Sequence, residues 1–456
     1  MSVTIFNSKV RKIFSLLQAA GATDILVVGG VVRDYLMSRP SKDIDIEVYG
    51  LSCDAIINAL RPHLPVNLVG RSFGVLKVGS TIDISLPRRE SKMGSGHKGF
   101  AVESIPTLSL DEAFARRDFT INAMGMRIDG SLVDLYGGQH DLANGILRAC
   151  SAAFKDDPLR VLRAMQFASR FGFSVESRTL EMCREVRSEF PTLSAERLWD
   201  EWQKWARQGR YPSKGLAVLE QCGWLDCFPE LSVFVNSDAI PCWQRTKRRC
   251  DLLANVIDEL NDELDEPESI TDDERQVLLL ASLGLESGEA EGGVSSATQT
   301  CKFLNRLKAP VRVTKQVEAL VRASSESCEL PDGWRPTPRN ARHLAHRVAP
   351  SSVLLWCCLQ ASCRRARDEY FGGTTGPQFD LASWLLVAKR CAVMREPQRP
   401  YVLGRHLIEL GVRPGVQFGE LLTTAYRWQL DGEINSTQEG ITRLLPMLTD
   451  LTRENG

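Results

Sequence analysis

The chain has 456 residues, of which 43% are hydrophobic and 25% charged, with a formal net charge of −1. That balance belongs to an ordinary globular protein, and it confines any RNA-binding surface to a local patch. No apolar run reaches the 18 or more residues that span a membrane, and 13 cysteines without a C-x-x-C pair point to reduced thiols in a cytoplasmic protein.

At roughly 100–200 residues per domain, two to four domains are expected. The opening residues, MSVTIFNSKVRKIFSLL, carry Lys9, Arg11 and Lys12 inside an apolar pattern, which predicts an amphipathic helix and not a signal peptide. Ile25–Gly29 reads as a short buried strand broken by Gly29-Gly30, and Val31–Met37 as a helix. Asp43–Val48 alternates as a strand, with its acids on one face and Ile44, Ile46 and Val48 on the other. Arg71–Val78 and Thr81–Leu86 are further strands, Arg88–Phe100 is a basic Gly- and Ser-rich loop, and Val133–Gly138 closes the region on turn glycines. From about residue 151 the period turns helical, at Pro158–Phe171, Ser177–Ser188 and Ala195–Gln208. Loops are expected at Ser287–Ser296, Glu329–Asn340 and Gly372–Phe379. The fold class is therefore α+β, a mixed-sheet domain followed by an all-helical body.

Three motifs carry chemistry. In LVVGGVVRDYLMSRPSKDIDIEV a strand enters two glycines and then a helix. Gly29 and Gly30 let the backbone approach a ligand, helical N–H groups beside them suit a triphosphate, and Arg33 adds a charge-assisted donor. Asp43 and Asp45, two apart on a strand, point to the same side and repel unless a cation joins them. Mg²⁺ takes carboxylates together with substrate phosphates, so this is a metal–nucleotide site. Asp83, the acid of a neighbouring strand, is the candidate third ligand and helps deprotonate an attacking 3′-hydroxyl.

The second motif is Arg116-Arg117-Asp118-Phe119-Thr120-Ile121-Asn122-Ala123. Its arginines suit phosphate, while Asp118 and Asn122 suit sugar hydroxyls. In the third motif, Asp156-Asp157-Pro158-Leu159-Arg160-Val161-Leu162-Arg163, residues Asp157, Arg160 and Arg163 recur every three residues and share a helix face. An aspartate accepts from an exocyclic amine and an arginine donates to ring acceptors. Cytosine and adenine both present an amine beside a ring-nitrogen acceptor, and uracil and guanine present the reverse. One Asp157/Arg160 pair therefore admits CTP and ATP and rejects UTP and GTP, whose polar groups it leaves unpaired.

Taken in order, GGVVRD, DIDIEVYG, RRDFTINAM, DLYGGQHDL followed by LRAC, DDPLRVLRA and SAERLWDE resemble the class II tRNA nucleotidyltransferase / bacterial poly(A) polymerase family, over residues 20–230. The resemblance implies a nucleotidyltransferase head (1–150), a base-selecting helical neck (151–230), a body like a degenerate phosphohydrolase (231–340) and an RNA-contacting tail (341–456). It implies Gly30, Arg33, Asp43 and Asp45 on triphosphate and metal, Arg117, Asp118 and Asn122 on ribose, and Asp157 with Arg160 as the template for the base. The expected activity is addition of C and A to the 3′ end of tRNA from CTP and ATP with Mg²⁺, with no membrane and no DNA partner. The rivals are a poly(A) polymerase or A-adding enzyme, and a catalytically dead RNA-binding protein. Two positions depart from the family pattern: Asp156 stands where Glu is usual, and Gln166 where a third arginine often follows. The segment 88–100 resembles a mobile loop beside the active site, whose presence favours addition of the terminal adenosine. The body carries no histidine between 141 and 342, so imidazole ligands for a phosphohydrolase metal are missing. His343 and His346 sit three apart with no nearby acid in the sequence to complete a metal site. Gly404–Gly432 has a helix–GVRPG–helix pattern like the tail of similar enzymes.

Overall fold

The computed structural model describes residues 5–41, 43–68, 75–92, 100–232, 242–264, 268–285, 295–324, 333, 335–371 and 379–454. The chain forms two compact units, Met1–Cys227 and Phe228–Gly456.

The first unit opens with α1 (Ser8–Ala19), started by Asn7, whose side chain accepts from the Val10 N–H. Its Val10, Ile13, Phe14 and Leu17 are buried at the spacing of one helix face. There follow β1 (Asp24–Val28), α2 (Gly30–Leu36), β2 (Ile44–Tyr49), α3 (Cys53–Leu60), β3 (Val66–Leu68), β4 (Val75–Val78), β5 (Ile82–Ser85), β6 (Arg88–Lys92), β7 (Phe100–Ser104), α4 (Leu110–Ala115), β8 (Gly125–Met126), β9 (Leu132–Val133), α5 (Gly138–Asn144) and β10 (Ile146–Leu147). The helical part is α6 (Leu159–Phe171), the short β11 (Ser174–Val175), α7 (Ser177–Glu185), α8 (Ala195–Gln208) and α9 (Pro212–Gln221).

Seven strands make one mixed sheet in the order β3-β4-β5-β2-β1-β8-β9. Only the β2–β5 pair is parallel. One face carries Ile25, Val27, Ile46, Val48, Ile82 and Ile84, packed with the apolar sides of α1 and α3. Each fully buried Ile or Val there contributes about 1.5–3 kcal/mol. The other face holds Leu26, Val28 and Tyr49 against Ala113 and Phe114 of α4. The helix α6 packs on α8 and α9. It approaches α9 so closely that a Cβ on Gly215 would lie 2.6 Å from the Met165 carbonyl.

The structure revises several expected boundaries. The helix Cys53–Leu60, capped by Ser52, adds to the predicted elements. Arg88–Lys92, expected within a loop, pairs antiparallel with Phe100–Ser104 as a hairpin. Its first strand, RRESK, has no apolar residue and so lacks the alternation that marks a half-buried strand. Residues 93–99 of that segment, and 71–74 of the expected strand Arg71–Val78, lie outside the described residues. Beyond Glu185 the expected helix Ser177–Ser188 tightens into a 3₁₀ stretch, Val186–Thr192, holding Pro191, which has no N–H to donate.

The second unit is helical among the described residues: α10 (Pro229–Ser232), α11 (Cys242–Glu263), α12 (Asp272–Ser282), α13 (Ser296–Arg306), α14 (Val311–Ala323), α15 (Pro338–Val348), α16 (Val353–Phe371), α17 (Leu381–Arg390), α18 (Gly404–Glu409), α19 (Val416–Asp431) and α20 (Thr437–Glu454). Arg249 is buried on α11 and donates to the Ser282 carbonyl at the end of α12. Residues 286–294 and 372–378, which include most of two expected loops, lie outside the described residues, and the third expected loop ends inside α15. Asp431 of α19 lies 2.8 Å from Nε2 of His343 and also accepts from Arg339, and these groups form no metal cluster among the described residues. Among the described residues, no helix is long and apolar enough to cross a membrane.

Candidate active site

The strand β1 ends at Val28 and turns on Gly29, whose φ of 78° favours glycine. The side space is also closed, since a Cβ on Gly29 would lie 3.0 Å from Nη1 of Arg117. The register sets the acids against this turn. Asp45 of β2 lies opposite Val28 on one side and opposite Asp83 of β5 on the other. Asp43 lies just before β2, two residues ahead of Asp45, and its charge acts on the Asp45 carboxylate. Asp45 and Asp83 line a cleft of about 550 Å³, shared with Gly29, Gly30, Asp157 and Arg160, whereas Asp43 stands outside its lining. The Asp45 carboxylate meets solvent, but surrounding protein strips part of its hydration. That desolvation, with the charges of Asp83, Asp43 and Glu47, raises its pKa against the opposing pull of Arg117. Lys77 reaches Asp83 at 3.5 Å across the strand pair.

The second motif forms the middle of the cleft. Arg117 donates to Glu47 at 3.2 Å and to the Asn122 carbonyl at 3.1 Å, and Arg116 lies 3.8 Å from the same Glu47 oxygen. Glu47 is 1% exposed and also accepts from the Tyr49 hydroxyl. The expected sugar-binding pair is joined to itself: Asn122 donates to Asp118 at 3.0 Å, and Arg163 donates to Asp118 at 2.7 Å. Burial alone would raise the Asp118 carboxyl. Arg163, the Asn122 hydrogen bond and Arg160 together hold it below its ordinary value.

Arg33 differs from the expectation of an open phosphate donor. It is 4% exposed, donates to Asp34 at 2.7 and 2.9 Å and to Asn122 at 2.6 Å, and lies over the Phe167 and Phe171 rings. Its direct effect is to hold Asn122 at the cleft. The Gly29 N–H is likewise engaged, donating to the Met124 carbonyl at 3.1 Å.

On the helical wall, Arg160 donates to the Ala153 and Arg116 carbonyls. A guanidinium has five N–H groups, so donors remain for a base. Asp157 accepts from the Leu159 N–H at 3.1 Å and from Arg197 of α8 at 2.8 Å. Gln166, at the departure from the family pattern, is buried at 3% exposure.

The structure thus gathers Gly29, Gly30, Arg33, Asp45, Asp83, Arg116, Arg117, Asp118, Asn122, Asp157, Arg160 and Arg163 around one cleft. It adds Glu47 and Arg197. Glu47 was visible as the third acid of the D-x-D-x-E alternation, and Arg197 as the arginine of SAERLWDE; neither partner lies nearby in the sequence.

No three His, Cys, Asp or Glu side chains among the described residues form a closed metal cluster. The donor set is instead an open one of carboxylates, around an Asp45 that no protein donor reaches among the described residues. Mg²⁺ commonly takes one or two carboxylates and completes its shell with water and substrate phosphate, so these residues fit it.

Residues 25–148 match the poly A polymerase head domain family, and residues 172–234 match the family described as "Probable RNA and SrmB- binding site of polymerase A". The Multifunctional CCA protein of Nitrosococcus oceani is 41% identical over 213 residues, 46% of this chain and 51% of the relative. The chain thus spans about half the length of the curated relatives it matches. The Bacillus stearothermophilus CCA-adding enzyme in complex with CTP has a similar fold, with a TM-score of 0.66 at 22% identity over 99% of this chain and 100% of that one. The Thermotoga maritima CCA-adding enzyme complexed with tRNA gives a TM-score of 0.58 at 20% identity over 97% of this chain and 96% of that one. Residues 25–148 thus match the poly A polymerase head domain, and the chain is similar in fold to CCA-adding enzymes.

Proposed function

We propose that this chain adds C and A nucleotides to the 3′ end of tRNA, without a nucleic-acid template, from CTP and ATP and with Mg²⁺. The observation that carries the reading is the placement in one cleft of Asp45 and Asp83, beside the Gly29 turn, with the Asp157/Arg160 pair. Complexes of CTP and of tRNA with enzymes of the same fold support it.

Asp45 and Asp43 would hold the cation, with Asp83 assisting. When bound there, a divalent cation would supply Lewis-acid activation of the RNA 3′-hydroxyl and charge neutralisation at the pyrophosphate. Asp83, on the strand beside Asp45, would accept the hydroxyl proton. Arg116 and Arg117 add positive charge for the phosphates, braced by Glu47. Asp118 and Asn122 face the ribose, kept rigid by Arg163 and Arg33. Asp157 accepts from the amine of cytosine or adenine and Arg160 donates to the ring nitrogen. Preorganised donors and acceptors of this kind avoid reorganisation during the reaction. The reading carries with it a cytoplasmic location.

The test is incubation of a tRNA lacking its last three nucleotides with CTP and ATP. The expected product is three nucleotides longer and ends in CCA. A long A tail would make the chain a poly(A) polymerase, and no incorporation would make it a binding protein on a dead transferase fold.

A further inference from the structure

Three guanidinium groups converge on Phe171, the last residue of α6. Arg33 and Arg170 lie 4.8 Å from its ring centroid and Arg39 lies 5.3 Å away. One helical turn back, Phe167 stacks on Phe171 with centroids 5.9 Å apart, and Arg33 and Arg163 each lie 5.3 Å over its ring. Phe167 lines the cleft. Cations and rings therefore alternate along α6 from the cleft outward, over roughly 10 Å between residues 163 and 170 at 1.5 Å per residue.

Charge is balanced at one end of this ladder and not at the other. At the cleft, Arg163 has Asp118. At the far end Asp34 serves Arg33 at 2.7 Å and Arg170 at 3.8 Å, and Arg39 has no acidic partner among the described residues. The crowding registers on Arg170, whose pKa is lowered by burial first and then by Arg33, with Arg39 adding to it against Asp34. The Arg170 side chain is 30% exposed and Arg39 is partly exposed, so both meet solvent, whereas Arg33 does not. Aromatic faces hold guanidinium planes in place, which reduces the entropy lost when they bind an anion. Paired planar guanidinium groups suit phosphate oxygens. Neither Arg39 nor Arg170 lines the cleft, where the nucleotide triphosphate belongs, and a strand whose 3′ end enters the cleft must continue outside it.

We propose that Arg39 and Arg170 bind a backbone phosphodiester of the RNA strand, upstream of the 3′ end that reacts. The identity of the strand rests on the function proposed above. The experiment uses the full chain with Arg39→Gln, Arg170→Gln and both together. Binding of a tRNA lacking its last three nucleotides is measured from about 50 to 200 mM salt, beside the KM for CTP in the extension reaction. The expected result is an RNA affinity about three- to tenfold lower per substitution, and a log–log salt dependence shallower by roughly 0.7–0.9 per arginine removed. Arg170→Lys should keep the slope, and the KM for CTP should not change. Arg39→Gln alone carries the test if the Arg170 variants lose their fold. Unchanged slopes in variants of an enzyme that still extends tRNA overturn this inference alone. A raised KM for CTP with unchanged RNA binding also overturns it, by assigning the phosphate to the nucleotide. Wild-type protein that neither binds nor extends tRNA overturns both the inference and the functional reading beneath it.

Discussion

On the sheet, Asp45 stands between Val28 and Asp83 with no protein donor reaching its carboxylate among the described residues, and its pKa is raised. In the middle of the cleft, Asp118 is 8% exposed, receives Asn122 and, from the helical wall, Arg163, and its pKa is lowered. The two aspartates share one cleft and differ in what the protein supplies to them. A carboxylate met by arginine and amide is held charged and in one orientation by the fold. One left crowded by its own sign keeps its valence for a ligand.

Four substitutions test that contrast. Asp45→Ala should abolish nucleotide incorporation, a loss of roughly 1,000-fold or more if the carboxylate supplies several kcal/mol to the transition state. Its circular dichroism should match the wild type and its thermal midpoint should not fall; a soluble variant with normal turnover removes Asp45 from the site. Asp118→Ala should do the opposite to stability, leaving Arg163 without its buried partner and lowering the unfolding free energy by about 3 kcal/mol in denaturant titration. A wild-type midpoint would show that the wall is not braced as described. Asp157→Ala should relax selection against UTP and GTP by about 10- to 100-fold in four-nucleotide competition, with stability little changed. Unchanged selectivity would assign base reading to other groups. The smallest effect is on the stability of the metal-free protein. The folded pKa of Asp45 is raised, so at neutral pH its charge opposes folding, and stability is regained as pH falls through that raised value. Asp45→Asn should therefore raise the thermal midpoint slightly at neutral pH, with the gain disappearing as the pH approaches the acid range. Asp118 has the reverse sign: its stabilisation is present above the unfolded value of 3.8 and is lost as pH falls through the lower folded value. A gain for Asp45→Asn that persisted in acid would break the comparison.

The sheet floor was the more legible of the two regions. The alternation of Asp43–Val48 specifies its own parity, because side chains on a strand repeat every two residues, and Ile46 and Val48 are buried as that parity requires. The Gly29-Gly30 break and helix Ala195–Gln208 were also readable, from local turn chemistry and helical period. The wall was readable only as a set of residues. Glu47 meets Arg117 across 70 positions, Arg33 meets Asn122 across 89, and Asp157 meets Arg197 across 40. Pairings over such separations arise from packing, and no local spacing announces them. For that reason Arg33 reads from its motif as a phosphate donor and is found holding another side chain.

Asp43, Asp45 and Glu47 recur every second residue along the same edge, so sliding β2 by two positions would exchange one acid for another while keeping every isoleucine on the apolar side. Hydrophobic patterning is blind to such a slip. Glu47 is not, because the slide would pull it away from Tyr49 and Arg117 and strand a guanidinium without its counter-ion. The innermost member of the acidic trio thereby acts as a registration pin, selecting which of its neighbours is presented to the cleft.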